Sequence, residues 1–469
     1  MGQLFSSPRP APLPPKSEEA GSSSGTLPQD VSPPTAATPD SLSILTKAKG
    51  HYWYPNDGPR ILDACGGAGV ACIGHGRDEV VKAAAAQMKA CSYTSYAHFK
   101  TTAVQELSDW LIESTGGAMQ KVYLMNSGSE AVEAAIKLSR EYFIWTGEPQ
   151  RVNFISRSES YHGTTLGSLS ASGHHTRRLP FGPLLPSTFH KIPACNPYRQ
   201  ESPSPEAFLA ARLAELESMF QRLGPHTVAG VILEPIVGAA LGCVPPTPGY
   251  LPAIASLVRH HGALLILDEV MCGMGRTGTL HAWQSLSVVP DLQTIAKGFA
   301  GGYQPASALL VGSRVATAMR EDDKTFTHGH TYQNHPVVAA AAMRVQRVIE
   351  REGLLGNVRR QGVILKKLLR ERLGKHPNVG DIRGKGLFWG VEFVRDRKTK
   401  EPFDAREEVA MRVWRAARGR RVLVYASQGC AGEGRGDHIM VMPAYDVSSR
   451  EVGKMVERIA AAVEDVFPI

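Results

Sequence analysis

Asp268 and Lys297, twenty-nine positions apart in the segments LLILDEVMCGMGRTG and PDLQTIAKGFAGGY, are the side chains best suited to do chemistry together. A neutral lysine amine is a nucleophile and a proton carrier, and a buried carboxylate favours the protonated form of any nitrogen base beside it. The apolar run Ala263-Leu264-Leu265-Ile266-Leu267 predicts a strand buried on both faces. Such a strand delivers Asp268 at its carboxyl end, where open α/β sheets build their sites. Lys297 lies among Ala296, Gly298, Ala300, Gly301 and Gly302, small residues that leave room for a flat molecule against the backbone. Taken by themselves, the two residues fit a plain Asp–Lys ion pair equally well.

Other segments present candidate residues in the same manner. After the strand-like KVYLM, Asn126-Ser127-Gly128-Ser129-Glu130 opens a helix whose apolar positions Ala131, Ala134, Ala135, Leu138 and Tyr142 recur at helical spacing. Its amino terminus suits a phosphate, while taken in isolation the sequence favours an ordinary serine cap; the two readings are compatible. RVNFIS predicts a strand ending near Ser160-Tyr161-His162-Gly163-Thr164, where Tyr161 can stack on a ring or fill the core. A third strand, Gly230-Val231-Ile232-Leu233, presents Glu234-Pro235. Val270, two positions beyond Asp268, points to the same side of an extended chain and can pack on a ring face.

The apolar-apolar-Asp-Glu-Val strand end, the Gly-Met-Gly-Arg-Thr-Gly turn and the Pro-Asp-(x)5-Lys-Gly stretch together resemble the class III aminotransferases, pyridoxal-phosphate enzymes of fold type I. The resemblance implies an α/β fold: a large domain with a mostly parallel mixed sheet flanked by helices, and a smaller α+β domain built from both chain ends. It implies pyridoxal 5'-phosphate as cofactor, linked to Lys297, with Asp268 keeping its ring nitrogen protonated. Gly128 and Ser129 would cradle its phosphate, Tyr161 and Val270 would face the ring from opposite sides, and His162 and Glu234 would lie beside it. Thr331, in Thr327-His328-Gly329-His330-Thr331, would reach the phosphate bound by a neighbouring subunit, which implies a homodimer with shared active sites. Arg383, in Asp381-Ile382-Arg383-Gly384, would hold a substrate carboxylate through its planar fork, with Glu234 also at the substrate. The implied reaction is ping-pong transfer of an amino group from an amino acid or amine to a keto acid or aldehyde. Decarboxylation, racemisation or an aminomutase shift on the same fold, or a noncatalytic interaction protein on this scaffold, stay open. Val237 stands where many members carry a glutamine, and Met442-Pro443-Ala444 where relatives often show Pro-Pro or an additional arginine, so the resemblance leaves the substrate and the mode of carboxylate recognition open.

The rest of the chain fits this frame. Residues 1–41 form a Pro/Ser-rich tail too poor in apolar side chains to order itself. The expected domains are 42–95 and 345–469 for the smaller one and 96–344 for the cofactor-binding one. With 43% hydrophobic and 20% charged residues, 469 residues can bury two α/β layers. The net charge of +8 gathers in stretches such as 358–375 and 412–421, whose apolar residues recur at helical spacing, so solvated helix faces are expected rather than a nucleic-acid surface. No apolar run approaches the ~20 residues of a membrane span. The seven cysteines form no C-x-x-C pair, and His328, His330 and His335 lack an acidic or cysteine co-ligand, so reduced thiols and no metal are expected. Met1-Gly2-Gln3-Leu4-Phe5-Ser6 matches the N-myristoylation pattern at Gly2 without a polybasic second signal; a cytoplasmic enzyme without stable membrane insertion is the expectation.

Overall fold

The computed structural model describes residues 43–321 and 323–468. Gly2 and the expected tail lie outside them. A seven-stranded sheet runs in the order Met119–Met125, Ser307–Gly312, Leu292–Ile295, Leu264–Asp268, Val228–Leu233, Asn153–Arg157, Phe189–Ile192. Ser307–Gly312 pairs antiparallel with both of its neighbours, and the other pairings are parallel. The sheet is therefore mixed and mostly parallel.

The run Leu264–Asp268 is buried at every position because both faces of the sheet are covered. Leu264 and Ile266 pack on one side with Ala131, Ala134, Leu138 and Tyr142 of the helix Gly128–Trp145. Leu265 and Leu267 pack on the other side with Phe208 and Phe220 of the helix Pro205–Leu223, and with Leu251, Ile254 and Val258 of Tyr250–His260. The period-2 alternation of a strand thus joins two layers of core, each buried leucine contributing about 2 kcal/mol. Parallel strands on a common sheet place their carboxyl ends on one edge, and Asp268 lies there with Glu234 just beyond its own strand.

Two four-stranded sheets complete the fold. One joins Leu45–Lys49, Tyr52–Pro55 and Ile61–Asp63 to Val422–Leu423, so residues from both ends of the chain share it. The other contains Val379–Lys385, Phe388–Phe393, Asp437–Val441 and Tyr425–Gln428. Helices span Asp78–Ala90, Leu354–Leu373 and Val409–Gly419, the last two covering the basic stretches expected to be amphipathic. Trp53 is half-buried, its indole N–H donating to His75 Nε2 at 2.8 Å. No helix among the described residues is long and apolar enough to cross a membrane, and all seven cysteines are free.

His51, between the first two strands, reaches carboxylates contributed by the far end of the chain: its Nδ1 lies 2.9 Å from Glu451 and its Nε2 2.8 Å from Asp446. Burial opposes the imidazolium, but the two carboxylates outweigh it and raise His51 to about 10. The same hydrogen bond to His51 is the main reason Glu451 falls to about 2. A raised histidine stabilises fully below its ordinary value of 6.5 and loses that stabilisation as pH rises through about 10. A depressed glutamate stabilises fully above 4.5 and loses it as pH falls through about 2. The melting temperature of wild type should therefore exceed that of His51→Gln most widely between these ordinary values, with the gap closing as pH approaches 10. A gap unchanged from neutral pH to pH 10 would contradict the assignment.

Candidate active site

At the carboxyl edge of the large sheet lies a cavity of about 470 Å³, walled in part by Asn126–Ser129, Tyr161–Gly163, Glu234, Asp268, Val270, Lys297 and Gln304–Ala306. Asp268 is 3% exposed. Its Oδ1 accepts from the Val270 N–H at 3.0 Å and the Thr294 hydroxyl at 3.2 Å, and its Oδ2 lies 2.7 Å from His162 Nδ1. A carboxylate has four lone-pair sites, so three protein donors leave one for a further N–H. Because the partner is a carboxylate, His162 carries hydrogen on Nδ1; its Nε2 is buried and has no hydrogen-bond partner among the described residues.

Lys297 follows the strand Leu292–Ile295 in a short 3₁₀ turn, Lys297–Phe299. Its φ is +50°, a left-handed conformation that costs a side-chain-bearing residue about 1–2 kcal/mol. Strain of that kind persists where the surroundings overdetermine it. Burial pushes the amine below the usual lysine value, with the charges of Asp268 and Glu234 acting in the opposite sense. A depressed lysine has more of the neutral amine that acts as nucleophile and base.

The amino terminus of the helix Gly128–Trp145 also lines the cavity. Ser127 is its cap, accepting from the Glu130 N–H at 3.2 Å, while Glu130 returns a bond to the Ser127 N–H at 2.8 Å. Capping thus falls to Ser127 and leaves Ser129 at the cavity wall, its hydroxyl accepting from the Thr164 N–H at 3.0 Å. A Cβ on Gly128 would come within 3.0 Å of Val270, and one on Gly163, at φ +136°, within 2.6 Å of Ser129 Oγ. Both positions need glycine to keep this corner open. N–H groups at a helix start suit an anion.

Glu234 is fully enclosed and accepts from the backbone N–H groups of Tyr161 at 3.0 Å and Gly238 at 2.9 Å. Burial raises its carboxyl above the ordinary value, with His162 opposing. The nearby Arg157 reaches only its main-chain oxygen, at 3.3 Å. Tyr161 is half-buried in the wall, and the guanidinium of Arg177 lies 4.9 Å from its ring centroid.

Two expected residues lie apart from the cavity. Thr331 is exposed and absent from its wall, its carbonyl accepting from the Tyr93 hydroxyl at 3.0 Å. Arg383 corrects the expectation of a substrate-carboxylate anchor. It is 7% exposed, and its guanidinium pairs with Glu392 at 2.5 Å and Asp381 at 3.1 Å and donates to the carbonyls of Gly242, at 3.0 Å, and Leu241. A buried arginine whose fork is already committed to two carboxylates and two carbonyls has no pair of donors for a ligand. Arg177 carries no sequence signal: it stands in SASGHHTRRLPFGP, which has no period and no motif. The Asp268–His162 contact joins residues 106 positions apart, and spacing alone does not reveal it.

These features fit pyridoxal phosphate: a carboxylate with one vacant acceptor site for a pyridinium N–H, a half-buried tyrosine and a valine for a flat ring, a depressed lysine, and a helix start kept open by glycines. The model for class III aminotransferases matches residues 35–463. An aminotransferase of Gibberella zeae is 43% identical over 431 residues, 91% of this chain and 84% of its own length. The taurine–pyruvate aminotransferase of Bilophila wadsworthia is 37% identical over 388 residues, 81% of this chain and 84% of its own. Among solved structures, a thermostable (S)-enantioselective omega-transaminase from Thermomicrobium roseum superposes with a TM-score of 0.85 at 37% identity, covering 91% of this chain and 93% of that one. A PLP-bound amine transaminase from an uncultivated Pseudomonas species gives 0.86 at 33% identity, with 92% and 97% covered. The chain belongs to the class III aminotransferase family. It is a pyridoxal-phosphate-dependent transaminase of fold type I, working by the ping-pong scheme general for that family, in which an amino group passes from an amino acid or amine to a keto acid or aldehyde.

Proposed function

We propose that Lys297 and Asp268 carry the reaction and that the substrates are small amino and oxo compounds bearing an acid group, anchored by Arg177. When bound, pyridoxal phosphate supplies an aldehyde carbon and an electron-accepting ring. Lys297 would hold the cofactor through Nζ, and that amine, once free, would be the group that takes the proton from the donor's α-carbon. Asp268, positioned by His162, Thr294 and the Val270 N–H, keeps the ring nitrogen protonated. Gly128 and Ser129 receive the phosphate, Tyr161 and Val270 confine the ring, and Glu234 fixes the Tyr161 backbone through the Tyr161 N–H. The single observation that carries this reading is one cavity bounded by a depressed, left-handed lysine, a buried carboxylate and a helix start.

The acid-group reading rests on Arg177. With Arg383 engaged elsewhere, Arg177 is a half-buried guanidinium against the Tyr161 wall, and it forms no hydrogen bond or ion pair with the described residues. A partly enclosed cation without a counter-charge favours an anion beside it. The relative named taurine–pyruvate aminotransferase is named for two small compounds that each bear an acid group, which agrees with this. The test is the visible absorption spectrum of purified wild type and Arg177→Ala, with α-amino acids, ω-amino acids and simple amines added in turn. Wild type should convert its cofactor to the amine form with acid-bearing donors. Arg177→Ala should need about ten- to a hundredfold more of them, the loss of one charge-assisted contact, and react unchanged with a neutral amine. Equal losses for both donor types would refute the anchor; a cofactor that no donor alters would refute the assignment of the site.

The position of Thr331 on the surface, outside its own chain's cavity, supports a homodimer in which each subunit completes the other's phosphate site. A solution mass of one chain would end that reading. We further propose a division into domains at 42–95, 96–344 and 345–469, and a cytoplasmic enzyme.

A further inference from the structure

Gln346 is fully buried in the helix Pro336–Arg351, whose other enclosed residues near it, Ala342, Val345, Val348 and Ile349, are all apolar. A lone amide on such a face destabilises the fold unless something binds it. Its Nε2 donates to the carbonyls of Phe299 at 2.7 Å and Gly298 at 3.2 Å, the two residues after Lys297. Its Oε1 has no partner among the described residues. Two carbonyl acceptors can be met only by the NH₂ end of the amide, so the orientation is fixed by chemistry. The Cys72 thiol donates to the same Gly298 carbonyl, 3.3 Å away. A side chain at Gly298 would be crowded: a Cβ there would meet the Tyr445 hydroxyl at 3.0 Å, and that hydroxyl is tied to the Met274 carbonyl.

We propose that Gln346 is the positioning residue for Lys297, holding the peptide planes after the lysine so that its left-handed backbone aims Nζ into the cavity. The turn's own bonds, from the Ala300 and Gly301 N–H groups to the Lys297 carbonyl at 3.2 and 3.0 Å, fix one side of the lysine. Gln346 and Cys72 fix the planes that follow. Without the amide the turn can relax toward an ordinary conformation, which swings the amine away from the reacting carbon. The effect falls on a step after binding, because Gln346 does not line the cavity.

This inference rests on the reading of Lys297 as the cofactor-linking amine. The test uses cofactor-loaded enzyme carrying Gln346→Met, which keeps length and flexibility but removes the donor. Gln361→Met serves as control: Gln361 is a glutamine 7% exposed on the neighbouring helix, bonded to Asn357 and Ser449 and not to the lysine turn. Gln346→Met should lower kcat by about tenfold to a hundredfold with little change in the donor's KM. It should also displace the pH midpoint at which the visible band of the lysine-bound cofactor changes, and Gln361→Met should leave that midpoint in place. In Gln346→Glu a protonated carboxyl can still donate one bond, so this variant should approach wild type at low pH and fall to the level of the methionine variant as pH rises. A wild-type midpoint and kcat in Gln346→Met, or the same displacement in Gln361→Met, would overturn the proposal. Should Gln346→Met fail to fold, the glutamate variant decides, and a pH profile parallel to wild type overturns it. Turnover retained by Lys297→Ala would defeat the lysine reading and this one together; turnover lost there but intact in Gln346→Met defeats this one alone.

Discussion

Replacing Lys297 with alanine should lower kcat by about a thousandfold or more while the protein still retains pyridoxal phosphate through gel filtration. Retention follows because the contacts proposed for the phosphate, the ring and the ring nitrogen come from Gly128, Ser129, Tyr161, Val270 and Asp268, none of which depends on the lysine side chain. Turnover fails because the amine is asked to do two things, to present the cofactor carbon in a displaceable form and to carry the substrate proton, and no other titratable amine lines the cavity among the described residues. The backbone at this position is left-handed, so alanine inherits the strain that lysine tolerates. Lys297→Gly removes that strain, and the two variants should differ in melting temperature but not in kcat. Partial recovery on adding a small soluble amine would show that the missing element is the base itself. A clean alanine variant working within tenfold of wild type would move the catalytic amine elsewhere.

The parts of the site that could be read from the chain are those fixed by a strand and the residue that follows it. Leu264–Asp268 is short, uniformly apolar and ends in a carboxylate, and the covered sheet leaves such a run one place to go. The helix expected to open at Asn126-Ser127-Gly128-Ser129-Glu130 is found as Gly128–Trp145. Arg383 shows where such reading stops. Its partner Glu392 comes from the adjacent strand, where Arg383 pairs with Gly390, and its carbonyl acceptors lie about 140 positions away at Leu241 and Gly242. A motif names the residue type, but the partners that engage the guanidinium are set by packing of distant segments. Which of Ser127 and Ser129 caps the helix is hidden from the sequence for a different reason. Both hydroxyls are compatible with a cap, and the choice is made by Glu130 closing its box on Ser127 and by Thr164 arriving at Ser129 from another loop. Nothing in the sequence marks Gln346, since its use depends on a turn 47 and 48 residues earlier.

Asp268→Asn should lower kcat by about a hundredfold to a thousandfold, an effect of electrostatics with only a modest loss of fold stability. The amide keeps the shape of the carboxylate, and its oxygen can still accept from the Val270 N–H and the Thr294 hydroxyl. The NH₂ then faces His162 Nδ1, which must become an acceptor, so the ring hydrogen moves to Nε2. That nitrogen is buried without a partner among the described residues, and the rearrangement should cost about 1–3 kcal/mol of stability. What the amide cannot do is favour a proton on the cofactor's ring nitrogen, and each unit by which that nitrogen's pKa falls weakens the protonated state by about 1.4 kcal/mol. The two losses separate experimentally. Thr294→Val removes a donor to the same carboxylate and leaves its charge, so it should lower the melting temperature comparably and leave kcat within about tenfold. If Thr294→Val loses as much activity as Asp268→Asn, packing around the carboxylate rather than its charge governs the rate; if only the asparagine variant falls, the single negative charge at the end of Leu264–Asp268 is the group that sustains the reaction.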